Sequence, residues 1–157
     1  MGRAAMANVT VKDLGLKDMI MAFEAINGLK ASAGVPAGAK YPNGKSVAEI
    51  AAIQEYGTDK IPSRPFMRQT FDKNKNAIAK MSAAVLGRIQ RRKTHRTVVA
   101  SMVRELANGM AQAIKKEIKA GNFTPNAPST IARKGRSEPL QDTERMVNSI
   151  RGRVDTK

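Results

Sequence analysis

The side chains that usually perform catalysis or hold metals are few in this chain, and their spacing does not bring them together. Cysteine is absent and His95 is the single histidine, which excludes a thiol nucleophile, a cysteine zinc site and a histidine-rich metal site. His95 lies in a basic run without a nearby carboxylate, and Glu49 and Glu55 lack the spacing of a pair on one helical face. The glycine-rich stretch 34–38 lacks the Gly-Lys-Ser/Thr ending of a phosphate-binding loop. We therefore expect no enzymatic activity, no cofactor and no metal.

The positive charge of the chain is confined to one segment. The formal net charge is +15 over 157 residues, and residues 60–136 hold all of this excess, with 18 basic and 3 acidic side chains. Such a segment predicts affinity for nucleic acid or for an acidic protein surface; a solvated basic face is the simpler alternative. Few aromatic residues accompany it, so contact with duplex phosphates is favoured over base stacking on single strands. The basic candidates, each of which could equally pair with an acidic neighbouring subunit, are Arg88, Arg91, Arg92, Lys93, Arg96, Lys115, Lys116, Arg133, Lys134 and Arg136.

These side chains need elements to position them, and the apolar spacing predicts an α+β fold. We expect a small antiparallel sheet packed with one N-terminal helix, a short helix and two long helices. The predicted helices span residues 12–28, 46–57, 65–92 and 96–120. The predicted strands, near 30–36 and 149–154, pair with each other. Ser46 is the expected cap of the short helix, with Glu49 as its capping-box partner.

The chain is expected to form one domain with two irregular segments. Residues 1–8 read as a flexible tail. Residues 121–143 lack periodicity and contain three prolines, which predicts a long loop or arm used in assembly. No apolar run approaches the ~20 residues of a membrane span, and a secretory signal is absent. We therefore expect a soluble protein that is made in a cytoplasm and has no membrane partner.

The most specific stretch of the sequence is residues 46–68, which read SVAEIAAIQEYGTDKIPSRPFMR. Two prolines flank Arg64 and set an extended path, so we expect Arg64 to point outward and form a forked contact with a carboxylate or carbonyl. Phe66 would anchor the start of the next helix. A turn that only guides the start of that helix is the alternative. The residues assigned to this assembly turn are Glu55, Tyr56, Gly57, Ile61, Pro62, Arg64, Pro65 and Phe66.

This stretch resembles a family of bacteriophage proteins. The pattern Ala-x-x-x-Glu-Tyr-Gly-Thr from Ala51, followed by Ile-Pro-x-Arg-Pro-Phe-Met from Ile61, is similar to the neck and tail-completion proteins of long-tailed phages. These are the tail-component family found beside the head–tail joining genes, related to the Mu virion-morphogenesis proteins and the lambda minor tail protein Z.

A second match to the same family lies near the C-terminus. It comprises Pro128 to Gly135, then Pro-Leu-Gln-Asp-Thr from Pro139, then Asn-Ser-Ile from Asn148. Members of the family read Pro-Leu-x-Asp-Thr-Gly, and this chain has Glu144 at the position of that glycine. Together the matches span most of residues 30–154.

The resemblance implies a subunit that assembles into a ring of six in the virion neck. Its implied partners are its own copies, the head-closure, tail-terminator and tail-tube proteins around it, and genomic DNA through non-specific contact. Its implied location is the neck or tail of the virion, after synthesis in the host cytoplasm, and Arg64→Ala would weaken ring contacts more than subunit stability. The residues alone also allow a non-specific duplex-DNA-binding architectural protein; a toxin-like or regulatory enzyme is disfavoured.

Overall fold

The structure, a computed structural model, describes residues 16–91 and 96–156. In chain order the elements are α1 (Leu16–Ile26), β1 (Leu29–Gly34), α2 (Val47–Tyr56), α3 (Phe66–Arg91), α4 (Arg96–Ala120), α5 (Pro128–Lys134), α6 (Arg145–Ser149) and β2 (Arg151–Thr156). The α+β prediction is confirmed. The predicted bounds of both strands and both long helices lie within two residues of those observed. The tail predicted for residues 1–8 lies outside the described residues.

The two long helices, α3 and α4, form an antiparallel pair. At one end, the side chains of Gln69 and Lys73 donate to the carboxylate of Glu117. At the other end, Ile89 and Val99 are buried against each other. Antiparallel pairing follows from the short connection between the helices. None of the helices in the described part of the chain is long and apolar enough to cross a lipid bilayer.

The two strands pair antiparallel, as predicted, and pack against α4. Ala33 of β1 lies opposite Gly152 of β2 in the ladder. Gly152 touches the backbone of α4 so closely that a Cβ at this position would lie 2.4 Å from the carbonyl carbon of Ala107 and from the amide nitrogen of Asn108. The sheet can therefore approach the helix at this distance only with glycine at position 152.

The main core lies where α2, α6 and the adjacent ends of α3 and α4 meet. Its buried members are Val47, Ala51, Phe66, Ala111, Ile114, Ile118, Met146, Val147 and Ile150. Ser46 begins α2 as predicted: its side-chain oxygen accepts a hydrogen bond from the Glu49 amide at 3.3 Å. This core fixes the end of α2 beside the start of α3, the region that contains the assembly turn.

Residues 121–143 are not one long loop, which corrects the prediction. They contain α5, which has Pro128 in its first turn and ends at Gly135 in the left-handed conformation with φ +70°. The Asn126 amide donates to the carbonyls of Ser137 and Glu138 and so closes the segment around this helix. Periodicity failed to reveal α5 because the helix has seven residues and no buried side chain.

Glu144, which precedes α6, adopts the left-handed conformation with φ +57° and ψ 0°. Its carbonyl still accepts the first helical hydrogen bond, from the Asn148 amide at 2.8 Å. A residue with a Cβ is strained in this conformation by about 1–2 kcal/mol, whereas glycine adopts it freely. The departure from the family pattern therefore falls on a position whose backbone suits glycine.

We expect Glu144→Gly to raise the free energy of unfolding by about 0.5–1 kcal/mol, because relief of strain exceeds the added entropy of the unfolded chain. Urea denaturation followed by circular dichroism measures the change. Leu140→Gly is the control: Leu140 also has a positive φ, of 62°, but its side chain packs against the main core, so this variant should lose stability. An unchanged or lower midpoint for Glu144→Gly would contradict the strain argument.

Candidate assembly site

The predicted assembly turn, residues 55–66, folds back onto the end of α2; we call it the elbow. Gly57 ends α2 with φ +78°, and a Cβ there would lie 2.8 Å from the amide nitrogen of Ser63. Thr58 and Ile61 exchange backbone hydrogen bonds of 2.8 and 3.2 Å, which close a tight turn. The Arg64 amide then donates to the carbonyl oxygen of Gln54 at 2.6 Å. The elbow is therefore a hydrogen-bonded turn that folds back onto α2, and not an extended segment without backbone partners.

Glu55 is buried and joins α2 to the start of α3. Its Oε2 accepts from the Met67 amide at 2.8 Å, and its Oε1 accepts from the Arg68 amide at 3.1 Å. The Arg68 Nε also donates to Oε1 at 3.0 Å, and the Glu55 side chain is 4% exposed. The first turn of α3 has no acidic residue of its own, so Glu55 supplies both the acceptors and the negative charge that a helix N-terminus favours. Local patterns cannot reveal this cap, because a capping box joins residues only three positions apart, whereas Glu55 lies 12 positions before Met67.

Arg64 points inward, which corrects the expectation of an outward contact. It is 5% exposed, and its Nε donates to the carbonyl of Thr124 at 2.8 Å while Nη2 donates to that of Pro125 at 3.0 Å. Nη1 donates to the side-chain oxygen of Gln54 at 2.7 Å. Burial lowers the pKa of the guanidinium from its ordinary value. The forked contact on carbonyls exists, but within the chain, because the return at Gly57 turns Arg64 toward residues 124–126.

We expect Arg64→Ala to lower the free energy of unfolding by about 2 kcal/mol, because it removes hydrogen bonds that a charged group makes to several acceptors. Arg64→Lys should recover less than half, since an ammonium cannot reproduce the planar fork. Chemical denaturation measures both. Limited proteolysis should also cut Arg64→Ala near residues 121–127 faster than it cuts the unmodified chain. A normal melting point with a weakened oligomer would instead favour the outward-contact hypothesis.

The remaining elbow residues divide into a buried anchor and a small exposed surface. Phe66 is fully buried in the main core, as expected of an anchor. Tyr56 is 71% exposed, with the Arg68 guanidinium 5.2 Å from the centroid of its ring, and Pro62 is exposed while Ile61 and Pro65 are half-buried. The elbow therefore guides the start of α3, and Tyr56 and Pro62 are its assigned residues that face solvent.

The basic candidates occupy two separated regions. Lys116, at the C-terminal end of α4, is exposed. Arg88 is exposed near the C-terminal end of α3. That end packs beside the start of α4, and about 25 Å of α4 separates it from Lys116. Arg133 and Arg136 are exposed, Lys115 and Lys134 are half-buried, and the side chains of Arg91, Arg92, Lys93 and Arg96 lie outside the described residues. The described candidates thus do not form one continuous basic surface.

Lys134 holds the segment that follows α5. Its Nζ donates to the carbonyl oxygen of Glu138 at 3.1 Å. Burial is the main cause that lowers the pKa of Lys134, and the positive charges of Arg136 and Arg64 also lower it. This lysine is therefore partly committed to holding the segment after α5, and Arg133 and Arg136 are the more accessible cations there.

Sequence reasoning missed an apolar groove between α3 and α4. It has a volume of about 520 Å³, and Ala33 of β1 is among its lining residues. Its apolar lining includes Met67, Phe71, Ile78, Met81, Met110, Ala113 and Ile114. Phe71 is 54% and Met81 44% exposed. Exposed apolar surface of this kind is typical of interaction sites, and flexible methionines suit such surfaces.

Among residues 16–91 and 96–156, no group of three His, Cys, Asp or Glu side chains is arranged to hold a metal ion. Comparisons of the chain with protein-family models, with curated proteins and with solved structures find no match in any of the three.

Proposed function

We propose that this protein is a structural subunit of a long-tailed bacteriophage virion, a ring-forming neck or tail-completion protein that joins the head-closure complex to the tail around the DNA channel. The observation that carries the proposal is the packing of the two segments that resemble the tail-component family. Val47, Ala51 and Phe66 from the first segment share one core with Ile150 from the second, and Leu140 of the second packs against that core. Segments far apart in sequence that form a single folding unit support a real relationship more strongly than two isolated matches do.

Polar contacts also tie each of the two segments to other parts of the chain. Arg64, in the first segment, donates to the carbonyls of Thr124 and Pro125, directly before the second segment begins at Pro128. Gln141, within the second segment, donates to the carbonyl of Ile118 at the end of α4. These contacts support a rigid subunit built around the elbow, as a ring in a mechanical joint requires.

The groove between α3 and α4 supports a role in assembly. Its walls are formed by long helices, and side chains such as Phe71 and Met81 are half-exposed in the isolated chain. Apolar surface of this kind favours burial against another protein. A subunit that functions only within an assembly has such a surface by necessity, and symmetric rings are a common result of self-association.

Purified virions test the proposal directly. We expect mass spectrometry of gradient-purified particles to detect the chain at a stoichiometry that fits one ring of six, and electron cryomicroscopy to place it in the neck. Suppressing its expression should leave DNA-filled heads and complete tails that do not join. Absence of the chain from purified infectious particles would refute the proposal, and so would normal joining without it.

A non-specific duplex-DNA-binding protein is the second candidate, favoured by the net charge of +15 and the exposed positions of Lys116, Arg133 and Arg136. Binding to random-sequence duplex at several salt concentrations separates the two. An architectural protein should bind tightly, with log K falling steeply and linearly with log salt. A neck subunit should bind duplex weakly at physiological salt and should associate with virion components.

A further inference from the structure

The sequence contains three Asn-Gly pairs, at residues 27–28, 43–44 and 108–109, and the structure gives them different surroundings. In such a pair the backbone nitrogen of the glycine can attack the side-chain amide of the asparagine, because glycine has no side chain to hinder the approach. The reaction also needs a backbone that can bring the two groups together. The fold around each pair therefore decides whether the reaction occurs in the folded chain.

The pair Asn43-Gly44 lies at the tip of a hairpin formed by residues 39–47. Backbone hydrogen bonds of 2.9 Å join the Tyr41 amide to the Lys45 carbonyl and the Gly44 amide to the Tyr41 carbonyl. Asn43 and Gly44 are both exposed, and a Cβ built on Gly44 would have no atom of the described residues within 4 Å. The peptide between Asn43 and Gly44 is thus held by bonds within the hairpin and not by packing.

The side chain of Asn43 is already turned toward the nitrogen that would attack it. Its Oδ1 accepts a hydrogen bond from the Lys45 amide at 3.2 Å, so the side chain folds over the intervening Gly44 peptide. This contact places Cγ of Asn43 on the same side of the chain as the Gly44 nitrogen, and reactions are faster when the reacting groups are held near each other. The Gly44 amide must first release its bond to Tyr41, which costs little at an exposed turn.

The pair Asn108-Gly109 is the opposite case, although Asn108 is also exposed. Both residues lie within α4, so their amides belong to its helical hydrogen-bond ladder. The backbone of Asn108 also lies directly against Gly152 of β2, with no room for a Cβ between them. Attack at Asn108 would require α4 to open in its middle and β2 to separate from it, which approaches the cost of global unfolding.

We infer that Asn43 is a site of spontaneous modification, at which the folded chain converts its own asparagine to aspartate or isoaspartate. After the Gly44 nitrogen loses its proton to solvent, its lone pair attacks Cγ of Asn43 and closes a five-membered succinimide ring. The carbon–nitrogen bond of the side-chain amide breaks, and the nitrogen leaves as ammonia. Water then opens the ring at either carbonyl, so neither an oxidant nor a reductant takes part. This inference goes beyond the proposed function and does not depend on it.

The two products affect the hairpin differently. Both add a negative charge, but isoaspartate also routes the backbone through the side-chain carbon and so lengthens the turn. A longer turn disturbs the bond between Tyr41 and Lys45. Tyr41 packs against the main core, and Val47 at the end of the hairpin is buried within it. We therefore expect the isoaspartate form to unfold at a lower urea concentration than the aspartate form.

Peptide mapping of the folded chain after prolonged incubation tests the inference. Trypsin releases residues 41–45 as one peptide, because Lys40 precedes them and Lys45 ends them. Mass spectrometry then detects the mass that the peptide gains when the amide becomes an acid. We expect conversion at Asn43 to be faster than at Asn108 by about 100-fold or more, because the reaction at Asn108 has to wait for α4 to open.

Two controls assign this difference to the fold. In concentrated urea the folded surroundings are lost, so all three pairs, including Asn27-Gly28, should convert at similar rates. Asn43→Gln keeps an amide at the tip, but its longer side chain forms the corresponding ring far more slowly. On isoelectric focusing this variant should lose the fastest-forming acidic species, and circular dichroism should show unchanged helix content.

Two results would overturn the inference: equal rates at Asn43 and Asn108 in the folded chain, or an Asn43 that stays unmodified in the folded chain while the chain in urea converts. Both measurements use the purified protein alone. Neither bears on whether the chain is present in virions, so the proposed function is tested separately.

Discussion

Glu55→Ala is expected to lower the free energy of unfolding by about 3–4 kcal/mol, which is a large share of the stability of a typical domain. The change removes the acceptor of the Met67 and Arg68 amides at the start of α3, and an unsatisfied donor costs about 1–3 kcal/mol when it is shielded from water. The ion pair with Arg68 adds little, because the Arg68 side chain is 56% exposed and surface pairs contribute little. Urea denaturation gives the change.

Glu55→Gln separates hydrogen bonding from charge. Glutamine keeps one side-chain oxygen, which can accept from one of the two backbone amides. Its NH₂ group faces the other amide, and two donors cannot bond to each other. The Glu55→Gln variant should therefore lose roughly half as much stability as Glu55→Ala. Glu49→Ala is the matched control on the same helix, since Glu49 is exposed, and it should change stability by about 0.5 kcal/mol or less. Equal stability of the Glu55 and Glu49 variants would show that the carboxylate does not cap α3.

Gly152→Ala is expected to be the most damaging small substitution, lowering the free energy of unfolding by about 4 kcal/mol or more. The new methyl group would lie 2.4 Å from backbone atoms of Ala107 and Asn108. Backbone in the middle of a helix cannot move aside as a flexible side chain can, so β2 has to separate from α4. Thermal denaturation and the amide chemical shifts of β1 and β2 measure the loss.

Gly34→Ala is the matched control for Gly152→Ala, because both glycines lie in the same two-stranded sheet. A Cβ at Gly34 would lie 3.7 Å from the Met67 methyl carbon, which is an ordinary contact. This variant should stay within about 1 kcal/mol of the original chain and gain slightly from a less flexible unfolded state. Similar losses for both variants would indicate that the sheet rejects side chains generally and that the contact with α4 is not the cause.

The elbow combines features that sequence reasoning assigned to assembly with contacts that serve folding. Arg64 and Glu55 are both buried and bond within the chain. The expectation that Arg64→Ala weakens ring contacts more than stability is therefore replaced by the expectation of a destabilised subunit. The groove between α3 and α4 instead offers large exposed apolar side chains, such as Phe71 and Met81, and the surface proposed for assembly moves to these helices.

By itself, the sequence determined the features that depend on neighbouring residues. Helix periodicity located α3 and α4, Ser46 marked the start of α2, and the bounds of both strands were predicted to within two residues. Each of these signals lies within a few residues, because helical hydrogen bonds, caps and strand alternation are local. Composition alone also excluded a thiol nucleophile and a cysteine zinc site, because the chain has no cysteine.

Only the tertiary structure decided which distant groups meet. The cap that Glu55 provides to α3, the inward path of Arg64 and the contact of Gly152 with α4 join residues that no short spacing relates. The groove likewise exists because of how α3 and α4 pack, although both walls read as ordinary amphipathic helices. Burial and hydrogen bonding in these places depend on the arrangement of whole elements, and periodicity specifies the faces of helices but not the surfaces that they contact.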